Sequence, residues 1–382
     1  MLFSKKRLQR GEVWIFYCIV CRAIPNMLIF EGKEMKKHEK KRKIILADDG
    51  ISFDGNTLKN EPLGGAETAF TSLAESLAKT HTVIVYNRCK KSVKVNGVQW
   101  MPFESIDSQE CDLYIANRGF TVLSLFPKAK KRVFWIHNPA NYLLKWRYLS
   151  KIWKWKPKII FSSNYHLNSY PNWAPSGQKV IIPYGISSCF IETKKLENVP
   201  KPRVAFTSSP LRSLDWLLDI WIKGIHPKLP SAELHIFSSP KTYREHGNSK
   251  LDKMNTILKK ASKLKHKGII LRNPLAKENL AKELANFRAL LYRGDEGETY
   301  CLAIGESQAS GVPCVVQDVG CVAERVIDGV TGFVAKDDQK FAELGIQILQ
   351  NDKLWKSQHN AAIKHQRNWS WDNTAAEFEK FI

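Results

Sequence analysis

Residues 43–86 read KIILADDGISFDGNTLKNEPLGGAETAFTSLAESLAKTHTVIVY, and this stretch decides the fold class. Ile44-Ile45-Leu46-Ala47 and Val83-Ile84-Val85-Tyr86 are short continuous apolar runs, the pattern of strands buried on both faces of a parallel sheet. Between them, Ala66 to Lys79 places Phe70, Leu73, Ala74 and Leu77 at helical spacing, so a helix there buries one face. Strand, helix and strand in this order build a doubly wound α/β domain. Further strands are expected at Cys111 to Ala116, Arg132 to Ile136 and Lys158 to Ser162.

The pattern pauses near Pro183-Tyr184-Gly185, and the charged stretch Ile191 to Lys201, closed by Pro200 and Pro202, suits a linker. A second α/β series follows. Strands are expected at Val204 to Thr207, Glu233 to Phe237, Gly268 to Leu271, Ala289 to Tyr292 and Pro313 to Val316, with helices at Leu214 to Ile222 and Asn279 to Ala285. Trp369 to Phe381 reads as a last helix with Asp372 or Asn373 near its start. The expected layout is an extension over 1–40, a Rossmann-like domain over 41–190, a linker over 191–202, a second Rossmann-like domain over 203–365, and a C-terminal helix over 366–382 returning toward the first domain. Such sheets bind ligands beyond the carboxyl ends of their strands, so functional residues should line a cleft between the two domains.

Composition narrows the partners. The chain has 382 residues, 43% hydrophobic and 25% charged, which excludes a disulfide-stapled miniprotein and a disordered chain. Its 59 Lys and Arg against 37 Asp and Glu give a net charge of +22, which favours nucleic acid, an acidic leaflet or phosphorylated small molecules. The eight cysteines are scattered singly except for Cys18 and Cys21, and without a second CxxC they read as structural thiols of a reducing cytoplasm. The apolar run Val13 to Cys21 is about half the roughly 20 residues a membrane span needs. Lys5, Lys6 and Arg7 before it resemble the opening of a signal peptide, yet no small-residue cleavage site follows and a Lys-rich stretch from Lys36 to Lys43 comes next. The segment therefore reads either as a membrane-contacting tail or as an extension upstream of a start at Met27 or Met35.

Two motifs carry chemistry. Gly64-Gly65-Ala66-Glu67 opens the first strong helix, where glycines let the backbone approach a ligand and free N–H groups attract an anion; the plainer alternative is a tight turn. Glu298 and Glu306 stand eight positions apart before Gly311-Val312-Pro313, and paired carboxylates suit sugar hydroxyls; the alternative is a pair of solvated glutamates.

Together with Trp135-Ile136-His137-Asn138, Ile182-Pro183-Tyr184-Gly185-Ile186 and Ser208-Ser209-Pro210-Leu211-Arg212-Ser213-Leu214-Asp215, these segments occur in the order seen in the family-four retaining glycosyltransferases. The resemblance covers the chain from about Ile44 to its end. It implies the GT-B fold, two Rossmann-like doubly wound domains facing a cleft, and transfer of a sugar from a nucleotide-diphosphate donor to an acceptor hydroxyl. Under it, Glu298 resembles the glutamate on the donor sugar and Glu306 the one on the ribose hydroxyls, while the backbone of Tyr300, Cys301 and Leu302 approaches the diphosphate. Gly64 and Gly65 resemble the loop against the donor phosphates, and His137 a histidine beside the reacting sugar that bonds one of its hydroxyls. Relatives place two cations around the first loop of the second domain. Here only Arg212 is evident, with Ser208 and Ser209 offering hydroxyl and backbone donors and Lys241 or Arg244 as substitutes for the missing cation. Asn273 falls in the loop expected to meet the base.

No Asp-x-Asp occurs, so neither metal nor other cofactor is expected, the nucleotide sugar being a substrate. The acceptor is read as a glycan or glycolipid of lipopolysaccharide or other cell-surface synthesis. Lys128, Lys130, Lys131, Arg132, Lys145, Arg147, Lys151, Lys154, Lys156 and Lys158, interleaved with Trp146, Trp153 and Trp155, suit either an anionic leaflet or a solvated basic face. The expected location is cytoplasmic and peripheral to the inner membrane face. A GT-B-like isomerase or hydrolase of nucleotide sugars is the rival enzyme. Nucleic acid is set aside, because no zinc finger, aromatic RNP string or basic helix-turn-helix is present.

Overall fold

A computed structural model describes residues 41–107, 109–243 and 248–382. The expectations placed on Cys18, Cys21, the apolar run, Met27, Met35 and Arg244 lie outside these residues, as does the side chain of Lys241.

Two sheets form the body. The first contains β1 (Lys43–Asp48), β2 (Thr82–Asn87), β3 (Val93–Val95), β4 (Val98–Pro102), β5 (Leu113–Asn117), β6 (Lys131–Trp135), β7 (Lys158–Phe161) and β8 (Gln178–Ile181), in the order β3-β4-β2-β1-β5-β6-β7-β8. Every pairing is parallel except that of β3 with β4. β1 shows why its residues form a central strand: Ile44 and Leu46 enter one apolar cluster and Ile45 and Ala47 the other, as alternate side chains of a pleated strand must. The second sheet contains β9 (Arg203–Phe206), β10 (Glu233–Phe237), β11 (Ile269–Arg272), β12 (Ala289–Leu291), β13 (Cys314–Gln317) and β14 (Gly332–Ala335), all parallel, in the order β11-β10-β9-β12-β13-β14. The strand order reverses between β1 and β5 in the first sheet and between β9 and β12 in the second, so the crevices for ligands open at those two places.

The Gly65–Leu77 helix buries Phe70, Leu73, Ala74 and Leu77 completely. The chain then returns at its end: the Trp371–Glu379 helix lies across the first lobe, with Trp371, Ala375 and Phe378 in that lobe's core. Its cap is Ser370, whose backbone N–H donates to the Asn373 side chain over 2.8 Å; the expected Asp372 and Asn373 are already helical. The helix expected over Leu214 to Ile222 runs as an α-helix to Ile220 and widens into a π-turn over Trp221–Ile225. The β3–β4 hairpin is an addition to the sequence reading; it turns at Asn96-Gly97, both with positive φ, the conformation an Asn-Gly hairpin turn requires.

Candidate active site

The first lobe presents the carboxyl ends of β1, β5 and β6. Asp48, fully buried at the end of β1, accepts from Asn117 Nδ2 at 2.9 Å and from Arg118 Nε at 2.9 Å. The other arm of Arg118 reaches Glu67 Oε1 at 2.8 Å, in the first turn of the Gly65–Leu77 helix, where a carboxylate also suits the helix dipole. Burial alone would lower the Arg118 guanidinium, but Asp48 and Glu67 outweigh it and hold the group above its ordinary value. The cation therefore stays charged between two carboxylates.

His137 stands next in this chain of bonds. Its Nε2 lies 2.6 Å from Asn117 Oδ1 and its Nδ1 meets the Tyr184 hydroxyl. Asn117 gives its NH2 to Asp48, so its Oδ1 must accept; Nε2 then carries the hydrogen and Nδ1 accepts from Tyr184. Burial drives the imidazole well below its ordinary value, helped by Arg118, and drives the Tyr184 phenol well above its own. Both are neutral. In this structure both ring nitrogens are held by protein, and the backbone carbonyl of His137 accepts from Thr299 Oγ1 at 2.7 Å.

In the second lobe the loops after β9 and β12 meet. Arg212 Nη1 lies 2.6 Å from Glu298 Oε2 and 3.5 Å from Asp295 Oδ1, and the Tyr292 hydroxyl donates to the same Glu298 oxygen at 2.6 Å. Burial by itself would lower the Arg212 guanidinium, yet Glu298, Tyr292 and Asp295 together raise it. Arg212, expected on a diphosphate, is thus matched by carboxylates in this structure. Glu306, buried in the Leu302–Ala309 helix, is bonded to Lys277 Nζ at 2.6 Å. Ser209 is buried and its carbonyl receives the Arg212 N–H at 2.9 Å. Asn273 is exposed in the loop after β11, four residues before the Lys277 that bonds Glu306. Arg118, Ser213 and Cys301 have φ of +47°, +59° and +63°, a strained conformation that concentrates at functional loops.

The lobes interlock through residues 299–302. The Thr299 carbonyl accepts from Ser162 Oγ at 2.8 Å and Ser163 Oγ at 2.7 Å, and the Tyr300 hydroxyl donates to the Tyr184 carbonyl at 2.6 Å. The Arg325 guanidinium sits 4.1 Å from the Tyr300 ring centre. Glu324 accepts from the Asn164 and Tyr165 N–H groups at 3.0 and 2.6 Å. A Cβ on Gly65 would meet Leu302 at 3.8 Å, so the glycine turn lies directly against the start of the opposing helix. Of the residues named from sequence, the structure brings Gly64, Gly65, His137, Arg212, Glu298 and the 300–302 segment together. Sequence reasoning missed Asp48, Glu67, Asn117, Arg118, Lys277 and Glu324. Asp48-Asp49-Gly50 and Asn117-Arg118-Gly119, polar triplets ending two central strands, were the available signal.

Two parallel-sheet Rossmann-like lobes joined across such a cleft define a GT-B protein. Residues 201–351, within the second lobe, match the family model "Glycosyl transferases group 1". D-inositol 3-phosphate glycosyltransferase of Corynebacterium diphtheriae is 33% identical over 84 residues, 22% of this chain and 20% of the relative. The chain therefore matches only about a fifth of the length of that curated relative. Among solved structures, sucrose-phosphate synthase from Thermosynechococcus elongatus superposes with a TM-score of 0.70 at 13% identity, over 89% of this chain and 98% of that one. Anabaena HepE in complex with UDP-glucose gives 0.67 at 13% identity, over 89% and 100%.

Proposed function

We propose that the chain is a retaining, metal-independent glycosyltransferase that moves a sugar from a nucleotide-diphosphate sugar to an acceptor hydroxyl in the synthesis of lipopolysaccharide or another cell-surface glycan. The observation that carries this reading is the Arg212–Glu298 pair at the strand-order reversal of the second sheet, in a lobe whose 299–302 segment is bonded to His137 and Tyr184 of the first. The barrier falls chiefly where charge builds on the departing diphosphate. Arg212, released from Glu298, meets that charge together with the N–H groups opening the Gly65–Leu77 and Leu302–Ala309 helices. Glu298, freed in the same exchange, accepts from donor-sugar hydroxyls, and Glu306, oriented by Lys277, accepts from the ribose. His137, locked neutral, acts through its position: the Asn117–His137–Tyr184 chain fixes the wall against which the sugar lies. A phosphate oxygen of the leaving group assists attack from the same face, which gives retention without a protein nucleophile. The interlocked lobes keep water from the donor.

The test is a thermal-shift panel of UDP, GDP and ADP sugars, because a ligand specific to the folded chain raises its melting temperature. At least one should do so in wild type and not in Arg212→Ala. No shift with any of them removes the donor site. Product analysis by NMR, with and without acceptor, then separates transfer with retention from hydrolysis or isomerisation.

A further inference from the structure

The Trp146–Trp155 helix carries two apolar stripes. One, with Tyr148 and Ile152, is buried in the first lobe. The other, Trp146, Leu149 and Trp153 at positions i, i+3 and i+7, faces outward. Trp146 is 80% exposed, Trp153 71% and, on a neighbouring loop, Trp173 73%, whereas the next most exposed large apolar side chain among the described residues, Ile327, reaches 47%. Trp146, Leu149, Trp153 and Pro175 line an open groove of about 690 Å³, with Lys154 and Lys156 at its rim. An apolar patch with a polar border is a mark of an interaction surface.

Charge names the partner. Between Asp112 and Glu192 the chain contains no acidic residue and twelve Lys or Arg. Some are absorbed internally: Arg132 donates to the carbonyls of Leu123, Leu125 and Phe126, and Lys151 to that of Phe120. Lys128, Lys131, Lys145, Lys154 and Lys156 stay exposed. We propose that this face docks on an anionic lipid bilayer, the three indoles entering the headgroup region while the lysines around them meet lipid phosphates. Indoles favour that boundary, and lysine stems can lie along apolar surface with the ammonium in the polar layer. The cations border an apolar centre, the reverse of a groove that follows a nucleic-acid backbone. The inference rests on this surface and not on the reaction proposed above.

The experiment is co-sedimentation of the full chain with phosphatidylglycerol–phosphatidylcholine vesicles and with phosphatidylcholine alone. Wild type should bind the anionic vesicles at least tenfold better, and less so at high salt. The triple variant Trp146→Ser, Trp153→Ser, Trp173→Ser and the double variant Lys154→Glu, Lys156→Glu should each weaken binding at least tenfold, with circular dichroism and transfer to a soluble acceptor unchanged. Because these side chains are exposed, the charge-reversal pair keeps the test valid should the triple variant misfold. Wild-type binding by either folded variant, equal or no binding to the two vesicles, or tight binding to a single-stranded oligonucleotide without vesicle binding would each overturn the proposal.

Discussion

Arg212 Nη1 stands 2.6 Å from Glu298 Oε2, so the cation and the acid of the proposed donor site neutralise each other across two loops, one after β9 and one after β12. Neither group is deeply sealed: the side chains are 31% and 14% exposed. A diphosphate can therefore compete for the guanidinium, and the exchange turns Glu298 toward the sugar. Arg212→Ala should lower kcat/KM about 10²–10³-fold, the range found when one preorganised donor to a developing anion is removed. Arg212→Lys should recover only part of it, since an ammonium cannot hold two phosphate oxygens in a fixed fork. Steady-state kinetics on the preferred donor decides; an Arg212→Ala enzyme within threefold of wild type would sink the assignment.

Gly65 separates a structural glycine from a functional one. Its φ is not positive, and an added Cβ would meet Leu302 at 3.8 Å, ordinary van der Waals contact. Gly65→Ala should therefore fold with a melting temperature equal to or slightly above wild type, as alanine favours helix over glycine by up to about 1 kcal/mol. The same methyl would occupy space the donor phosphates or acceptor need, so KM should rise at least tenfold. Unchanged kinetics in a folded Gly65→Ala protein would make the glycine pair a plain turn.

Stability should fall in acid through histidines that the fold keeps neutral. Burial pulls His166 down to about 4 from an ordinary 6.5, and His137 is displaced in the same direction by burial and by Arg118. Below pH 6.5 the unfolded chain binds protons that the folded chain refuses, so the fold has its full stability above that pH and loses it as pH falls toward 4. His166 alone should account for about 3 kcal/mol of the loss once the pH is below 4, of which roughly 2 kcal/mol falls between pH 7.5 and 5. Urea titrations at pH 7.5 and 5 measure it. His166→Gln, less stable at pH 7.5 through its lost bonds to Ser162 and Asn138, should show a markedly shallower decline.

The fold was legible because strands buried on both faces leave continuous apolar runs, as at Ile44 to Ala47, and because the Gly65–Leu77 helix buries a regular stripe. Short edge elements carried weaker signals. β8 begins with the polar Gln178-Lys179 and is only half-buried at Val180 and Ile181, and β3 and β4 were marked chiefly by the Asn96-Gly97 turn. The candidate site was legible where a motif holds the residues close in sequence. It was not where partners meet through topology: Asp48 and Arg118 are 70 positions apart and join only because β1 and β5 are neighbours in the sheet. The same holds for Lys277 and Glu306, or for Glu324 and the N–H groups it receives from the other lobe. His137 stood out in its motif, whereas its ring partners Asn117 and Tyr184, 20 and 47 positions away, reach it only through the fold.

The 299–302 segment should couple lobe closure to donor binding. Thr299 Oγ1 and the Tyr300 hydroxyl donate to the carbonyls of His137 and Tyr184, both buried residues of the opposite lobe. Thr299→Val and Tyr300→Phe keep shape and volume nearly constant while removing one donor each, leaving a buried carbonyl without that partner. Each should cost about 1–3 kcal/mol. Because both bonds exist only when the lobes are together, part of that cost should appear as a shift toward an open form. Small-angle scattering of the unliganded double variant should then show a larger radius of gyration than wild type, and saturating donor should restore it. Donor KM should rise more than kcat falls, since closure is stabilised by the ligand itself. A double variant with wild-type scattering and wild-type donor KM would confine these bonds to packing and detach closure from the 299–302 segment.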